Sequence, residues 1–207
     1  MSLRLQDLGQ FFALTWRDPR QGLRAVLRLQ PTMGAGLAAI ALMAVVSALL
    51  IHLAPAPLPL PLDATQLERT VVMMVAAMTA TPFTTALVQG VILLTSAVLI
   101  HLVGRLWGGQ GQFGAAVVAV AWLQAIFVLL QALQLVALYV LPPLAGLIGL
   151  VSILLFFWLL THFVTEVHGF ATPVLVLIGI ILTGFAVSFV LAFAMISILG
   201  PEAFVDV

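Results

Sequence analysis

The sequence contains no cysteine and no lysine, and it carries little charge of either sign. Without cysteine, the chain can form no disulfide, no thiolate metal site and no cysteine nucleophile. Charged residues make up 7% of the 207 residues and hydrophobic residues 64%, whereas soluble domains carry about 25% charged residues. The net charge is zero, so the composition gives no indication of a nucleic-acid partner.

Long apolar runs fill most of the chain, and each is long enough to cross a bilayer as a helix of about 20 residues. We predict an all-α integral membrane bundle of five transmembrane helices with an N-terminal cytoplasmic amphipathic arm. The arm comprises residues 1–32 and the membrane domain residues 33–207. The predicted spans are residues 33–53, 83–103, 114–139, 144–164 and 173–199.

One region leaves the number of spans open. Residues 70–103 are apolar almost throughout, which is long for one span and short for two, and Pro82 offers a break. We predict a short helix over residues 64–79 at the membrane interface, followed by a single span. A bundle of six spans is the alternative.

The sequence of the arm predicts two amphipathic helices separated by Asp18-Pro19. Asp18 is the expected N-cap of the second helix, and Pro19 is its first residue. The first helix has an apolar face, and the second has a basic one. We expect both on the bilayer surface, with arginines at lipid phosphates. Packing against the ends of the spans is the alternative. The apolar face is Leu5, Leu8, Phe12 and Trp16, and the basic face is Arg20, Arg24 and Arg28.

Arginine placement predicts the orientation. Five of the seven arginines precede the first span, Arg105 follows the second, and only Arg69 follows the first. The positive-inside rule therefore places the N-terminus in the cytoplasm and the C-terminus, with Glu202 and Asp206, on the opposite side. After the first span, alternating prolines at positions 55, 57, 59 and 61 predict a stiff, extended strap.

The stretch GQGQFG, at residues 109–114, matches the glycine pattern of a dinucleotide-binding turn. Such a site needs a preceding strand and an acid about 20 residues further on, but an apolar span precedes it and position 134 is glutamine. The glycines instead predict a sharp turn between spans. Together with Arg105, the turn and the start of the third span form a candidate lipid-phosphate or anion site, whose glycines are Gly109, Gly111 and Gly114.

The polar residues within the spans are uncharged. Gln124, Gln131 and Gln134 share one face of the third span, and they predict hydrogen-bonded links between helices, with a polar pathway as the alternative. We expect their partners in the second span, at Gln89, Thr95 and Ser96. No charged residue lies in the middle of a span, which argues against a proton-coupled transporter or a voltage sensor.

Titratable residues gather at the end of the fourth span. His162, Glu166 and His168 form a weak candidate metal site, because their spacing departs from H-E-x-x-H. We favour a hydrogen-bond cluster that also includes Arg105. The chain has neither a nucleophile with triad-like spacing nor paired carboxylates, so we expect no enzyme activity and no cofactor.

Several stretches resemble the Yip family of Ypt/Rab-interacting membrane proteins. They are GRLWGGQGQFGAAVVAVAW before the third span, VTEVHGFATPVLVLIGIIL between the fourth and fifth, and TWRDPR in the arm, which is similar to bacterial members. The resemblance implies the five-span fold and a bacterial inner (plasma) membrane location. For eukaryotic members it implies early secretory membranes and binding to prenylated small GTPases and other Yip proteins.

We therefore predict a non-enzymatic membrane scaffold or organiser that contacts the lipid bilayer and associates with itself or with other membrane proteins. The small-residue pairs Ala115/Ala119 and Ala121/Ala125 would permit close helix contact. A channel or facilitator for a small neutral or lipid-like solute is the alternative. We expect neither a nucleotide nor a nucleic acid as a ligand.

Overall fold

The computed structural model describes residues 5–55 and 66–199, and every regular element within them is an α-helix. Five of these helices (α3, α5, α6, α7 and α8) are long and apolar enough to cross a bilayer. This confirms the all-α membrane fold. In chain order the helices are α1 (Leu5–Arg17), α2 (Pro19–Leu27), α3 (Met33–Leu53), α4 (Gln66–Met78), α5 (Pro82–Leu106), α6 (Phe113–Val140), α7 (Pro142–His168) and α8 (Pro173–Leu199).

Local capping signals set the helix boundaries. The Asp18 side chain accepts a hydrogen bond from the Gln21 N–H, and Pro19 is the first residue of α2, as predicted. Thr81 and Thr84 cap α5 reciprocally, which explains why the second span begins at Pro82. The helix α4 has 13 residues and spans about 20 Å, so it is too short to cross the bilayer. The described residues therefore contain five candidate spans rather than six.

The central helix is α6, which packs against α3, α5 and α7. On one side, Ala121 and Val117 of α6 pack with Ile40 and Ala44 of α3 and with Ala97 of α5. These small and β-branched side chains let the three helices approach closely. The compact part of the bundle is thus built around α6.

The arm packs against this bundle and does not lie apart from it. Leu23 of α2 is completely buried in a cluster with Trp122 of α6 and with Leu159 and Phe163 of α7. The arm therefore packs against the ends of the spans, which was the alternative to the predicted location on the bilayer surface. Of the predicted apolar face of α1, Phe12 contacts Trp122, while Trp16 is half exposed.

The last helix, α8, has far fewer neighbours. It packs mainly against α7. Only 6% of its most apolar 18-residue window is buried, against 56% for α6. Because the two windows are almost equally apolar, hydropathy does not account for this difference.

Two ends of the bundle can be distinguished. The arm end carries α1, α2, the α5–α6 connection (residues 107–112) and the α7–α8 turn (residues 169–172). At the far end, the Tyr139 hydroxyl donates to the carbonyl oxygen of Leu53 at 2.6 Å, which joins α6 to α3. Several predicted features lie outside the described residues: the side chains of Leu5 and Leu8, the strap from Pro57 onward, and the tail with Gly200, Pro201, Glu202 and Asp206.

Candidate functional site

The arm end is organised around the last turns of α7. This helix ends at Gly169, which adopts the left-handed conformation at φ 70° that glycine tolerates best. Just before it, Phe163 packs against the arm and α6, and Glu166 binds the arm. His168 binds α5 and the α5–α6 connection.

His168 fills a socket made by glycines. Its ring is almost fully buried, its Nε2–H donates to the carbonyl oxygen of Ile100 at 3.0 Å, and its Nδ1 accepts from the Gly111 N–H at 3.2 Å. These two bonds together suit a neutral ring with the proton on Nε2. A Cβ atom at Gly104, Gly109 or Gly111 would collide with this side chain. Three of the glycines around the turn are therefore required by the close approach of one histidine.

The backbone of the connection is also engaged. The Gly109 N–H donates to the carbonyl oxygen of Gly104, and the Gln110 N–H donates to that of His168. The left-handed turn itself falls at Gly108, with φ 86°. The glycines thus allow the predicted sharp connection, and this connection folds over the end of α7.

This arrangement leaves fewer groups free to bind an anion at the predicted site. The amides of residues 109, 110 and 111 already have internal acceptors, so they are not available to a phosphate. The exposed Arg105 and the uncapped start of α6, near Gly114, remain. A Cβ atom at Gly114 would meet open space, unlike one at the other glycines of the pattern. The lipid-phosphate site stays a prediction that now rests on Arg105 and Gly114.

Glu166 joins α7 to the arm. Its carboxylate accepts hydrogen bonds from Arg24 at 2.7 and 2.8 Å and from Arg20 at 3.3 Å. The hydrogen bonds and charge of this carboxylate raise the pKa of the Arg24 guanidinium above its ordinary value. Two arginines that we expected at lipid phosphates are therefore bound within the protein. The hydrogen bonds of Glu166 at the end of α7 therefore go to α2, and not to His162, His168 or Arg105 as in the predicted cluster.

A second contact joins the arm to α6. The Trp122 indole N–H donates to the Thr15 hydroxyl at 3.1 Å, and this hydroxyl donates in turn to the Phe11 carbonyl oxygen. The Phe12 ring lies 4.5 Å from the Trp122 ring, centroid to centroid. A Cβ atom at Gly22 of α2 would overlap Thr15, so the two arm helices also cross at a glycine. The arm is fixed by both polar and apolar contacts.

The three weak metal candidates lie in different environments. His162 hydrogen-bonds to the Trp158 carbonyl oxygen of its own helix, Glu166 binds the arm arginines, and His168 occupies the glycine socket. In the part of the chain that the structure describes, no three histidine, aspartate or glutamate side chains form a group that could hold a metal ion. His101 of α5 packs edge-on against Phe113.

The glutamines of α6 separate into two groups. Gln131 accepts from the Ser47 hydroxyl at 2.9 Å and donates to the Ser47 carbonyl oxygen, and Gln134 donates to the carbonyl oxygen of Ala145. These bonds join α6 to α3 and to α7, so the observed partners are not the residues of the second span that we expected. Gln124 makes no hydrogen bond to any described residue and faces a groove.

This groove has a volume of about 770 Å³. We call it the lateral groove. Its walls are α5 and α8, which do not pack closely on each other, and its floor is α6 and α7. At the arm end its mouth is formed by Trp107 and by residues 170–172. The lining is mostly aliphatic and aromatic, with Ser96, Gln124, Thr172, Thr183 and Ser188 as its polar side chains.

Sequence reasoning missed the socket and the groove. Gly104 lies just after the predicted second span and before the glycine pattern, and its contact with His168 joins residues 64 positions apart. The lateral groove depends on how α8 is placed, and the sequence pattern of α8 does not show this. The Trp122–Thr15 bond could have been suspected only if the arm had been assigned to the bundle.

One comparison with known proteins gives a match. A family model described as the Yip1 domain matches residues 13–195, which covers the last five residues of α1, four candidate spans in full and the fifth up to its last two residues. No curated protein and no solved structure matches the chain. The matched range begins within the arm, where Thr15 contacts the bundle.

Proposed function

The chain belongs to the Yip1-domain family, and on this premise we propose that it is a non-enzymatic organiser of a bacterial inner membrane, associating with itself or with other membrane proteins. The arm end would face the cytoplasm, because six of the seven arginines belong to the arm or to the last turn of α5. Within this proposal, the arm and the glycine socket make one end of the bundle rigid, and the sides of the bundle remain available for contacts in the membrane plane.

The observation that carries the proposal is the unpartnered outer surface of α8. Phe185, Phe189 and Phe193 repeat at four-residue spacing on one side of this helix, and each is at least 66% exposed. They point away from the lateral groove. An aromatic stripe of this kind supports packing against a helix of another membrane protein, since membrane helices associate through van der Waals contact.

The small-residue pairs of α6 do not provide this surface. Ala119 and Ala121 are buried within the chain, where they pack against the arm, α3 and α5. The expectation that they serve close contact with another molecule is therefore wrong, because the contact they permit is internal. Self-association has to use the outer helices.

Two of the three glutamines on which the facilitator alternative depends are not available to a solute. Gln131 and Gln134 are committed to bonds between helices, and only Gln124 faces a cavity. A polar pathway through the bundle would need a chain of such groups. Liposome flux of a neutral solute that is reduced by Gln124→Leu, but not by Gln131→Leu, would support the alternative over the organiser.

Site-specific photocrosslinking in native membranes tests the organiser proposal. A photoreactive amino acid at Phe189 should give a defined crosslinked species, either a dimer or a complex with one other membrane protein. The same amino acid at Leu154, an exposed position of α7, serves as the matched control. If Phe189 yields only monomer, or the same diffuse products as Leu154, the proposal fails.

The lipid-phosphate prediction has its own test. Arg105→Gln removes the cation just before the α5–α6 connection and should lower the amount of anionic phospholipid that copurifies with the protein. Arg69→Gln, an exposed position in α4, removes the same charge away from the arm end and is the control. Equal phospholipid retention in both variants would leave the connection with a purely structural role.

A further inference from the structure

The lateral groove runs along much of the length of α8. Its lining extends along this helix from Leu175 to Ser188, about 20 Å at 1.5 Å per residue. Its volume of about 770 Å³ lies within the range of about 300–1,000 Å³ that is typical of sites for small ligands.

Three of the five polar side chains of the groove lie at one depth. Ser96 is ten residues before the end of α5, Thr183 is ten residues after the start of α8, and Gln124 is eleven residues after the start of α6. Because all three counts start from the arm end, the side chains lie about 15–17 Å below it, halfway across the bilayer. Three different helices thus form a polar belt inside an otherwise apolar groove.

The belt has unused hydrogen-bonding capacity. The Ser96 and Thr183 hydroxyls donate to carbonyl oxygens of their own helices, which leaves their lone pairs as acceptors. The Gln124 amide has no partner among the described residues and offers both donors and an acceptor. At membrane depth such an amide is stabilised by a ligand that carries a hydrogen-bonding group.

The charge of that ligand also follows from the lining. None of the residues that line the groove is charged. A charged headgroup at mid-depth would be left without a counter-ion in a medium of low dielectric constant, at high cost. A hydroxyl or carbonyl group carries no such penalty.

We propose that the lateral groove binds an uncharged amphiphile, consisting of a long hydrocarbon chain with a hydroxyl or carbonyl group that hydrogen-bonds to Gln124. The chain lies along the apolar walls of α5 and α8. The uncharged group lies at the polar belt. This inference goes beyond the organiser proposal and uses the side of α8 opposite the aromatic stripe.

Gly184 and Gly146 provide a matched pair of variants. Both are exposed helical glycines at which a Cβ atom would meet nothing within 4 Å, but only Gly184 lines the groove. Gly184→Leu therefore adds a side chain to the groove without displacing packed atoms. Gly146→Leu makes the same change on a surface of α7 outside it.

The experiment is photolabelling of the purified protein with a diazirine-bearing hexadecanol, with labelled residues located by mass spectrometry. We expect saturable labelling of groove residues that excess hexadecanol displaces. Gly184→Leu should weaken binding about tenfold, as expected for overpacking, and Gly146→Leu should leave it unchanged. Gln124→Leu should weaken binding about fivefold, the value of one hydrogen bond, and should not affect a diazirine-bearing hexadecane.

A hexadecyl sulfate probe with the same diazirine tests the requirement for an uncharged ligand, and it should label groove residues only weakly. Equal groove labelling by the alcohol and the sulfate would overturn the proposal. Unsaturable labelling of all exposed helices, or equal labelling of the two glycine variants, would also overturn it. A photoreactive amino acid at Val187, within the groove, that crosslinks to a second copy of the chain would assign the groove to a helix instead. Circular dichroism of each variant verifies that it is folded.

Discussion

The central helix α6 and the last helix α8 have similar hydropathy and length, yet they occupy opposite kinds of environment. Helix α6 is surrounded by the arm, α3, α5 and α7, whereas α8 packs mainly against α7. In water, the hydrophobic effect would strongly disfavour the exposure of an apolar helix with so few neighbours. In a bilayer, lipid tails surround such a helix as favourably as protein side chains do, so hydropathy does not determine which helix becomes the centre.

The two helices differ in their small and polar residues. Helix α6 presents Ala116, Ala119 and Ala121 to its neighbours, and Gln131 and Gln134 bond to them. Helix α8 presents phenylalanines outward and glycines toward an open groove. A membrane helix is therefore held in the bundle by close backbone approach and a few hydrogen bonds, rather than by its overall apolar character.

The comparison between a closely packed and an open helix surface is tested most strongly by adding one methyl group at Gly104 of α5, in the packed bundle, and one at Gly184 of α8. Gly104→Ala places a Cβ atom against the His168 ring and should lower the free energy of unfolding by about 2–3 kcal/mol, as overpacking does. Gly184→Ala meets open space and should be neutral or stabilising by up to about 1 kcal/mol. Thermal unfolding in detergent measures both changes.

A double variant identifies the cause. If the Gly104→Ala penalty comes from the His168 ring, it should shrink in a His168→Ala background, since the collision is then removed. Additive effects in the double variant would show that the socket is not the reason for the glycine. Equal effects of alanine at positions 104 and 184 would contradict the comparison itself.

The next effect concerns the attachment of the arm. Glu166→Gln removes the carboxylate that Arg20 and Arg24 share and should lower stability by roughly 1–1.5 kcal/mol, since the guanidinium groups are partly exposed. The arm should also become more sensitive to chymotrypsin. Arg24→Gln should shift the cleavage rate in the same direction, while Arg28→Gln should leave it unchanged. An arm that stays equally resistant in Glu166→Gln would show that Leu23 and Trp122 alone hold it.

The cap of α2 gives a smaller, pH-dependent effect. The hydrogen bond from the Gln21 N–H holds the pKa of Asp18 below its ordinary value of 3.8, so the folded arm favours the ionised form. Asp18→Ala should cost about 1 kcal/mol at neutral pH. Because the pKa is lowered in the folded state, this difference from wild type should be full above pH 3.8 and should fall as the pH drops below it. Thermal unfolding from pH 7 to pH 3 follows the difference. A constant difference across that range would exclude the charged cap.

The smallest expected effect is that of a single bond between helices. Gln131→Leu removes both hydrogen bonds to Ser47 and should cost about 0.6 kcal/mol, the average for such contacts in membranes. A double-mutant cycle with Ser47→Ala isolates the pairwise energy. Gln124→Leu, which breaks no bond to a described residue, should leave the stability of the ligand-free protein unchanged. A larger loss for Gln124→Leu than for Gln131→Leu would contradict the assignment of the two glutamines.

Much of the fold was predictable because its signals are local. The first and last spans agree with the predicted 33–53 and 173–199, and the others differ by at most four residues at either end. Their true ends were set by proline and by caps such as Thr81, which lie just outside the apolar runs. The break at Asp18-Pro19 and the short helix α4 were predictable for the same reason.

The candidate site was less predictable because its contacts join distant parts of the chain. The predicted cluster contained Glu166 and His168, but Glu166 binds arginines more than 140 positions away, and His168 binds a glycine connection. A basic helix face is typical of both a lipid surface and an acidic partner within the protein. Only the placement of α2 beside α7 distinguishes them.

The position of α7 in the chain has a consequence for biosynthesis. The arm is made before α7, so its partners Phe163 and Glu166 become available only when the fourth span is nearly complete. The α5–α6 connection likewise waits for His168. Since a chain grows at about 5–20 residues per second, the contacts between the arm and α7 form no sooner than roughly 7–28 seconds after the arm is made. The arm thus reaches its final place only after α7 is made, and a single helix end completes both attachments at once.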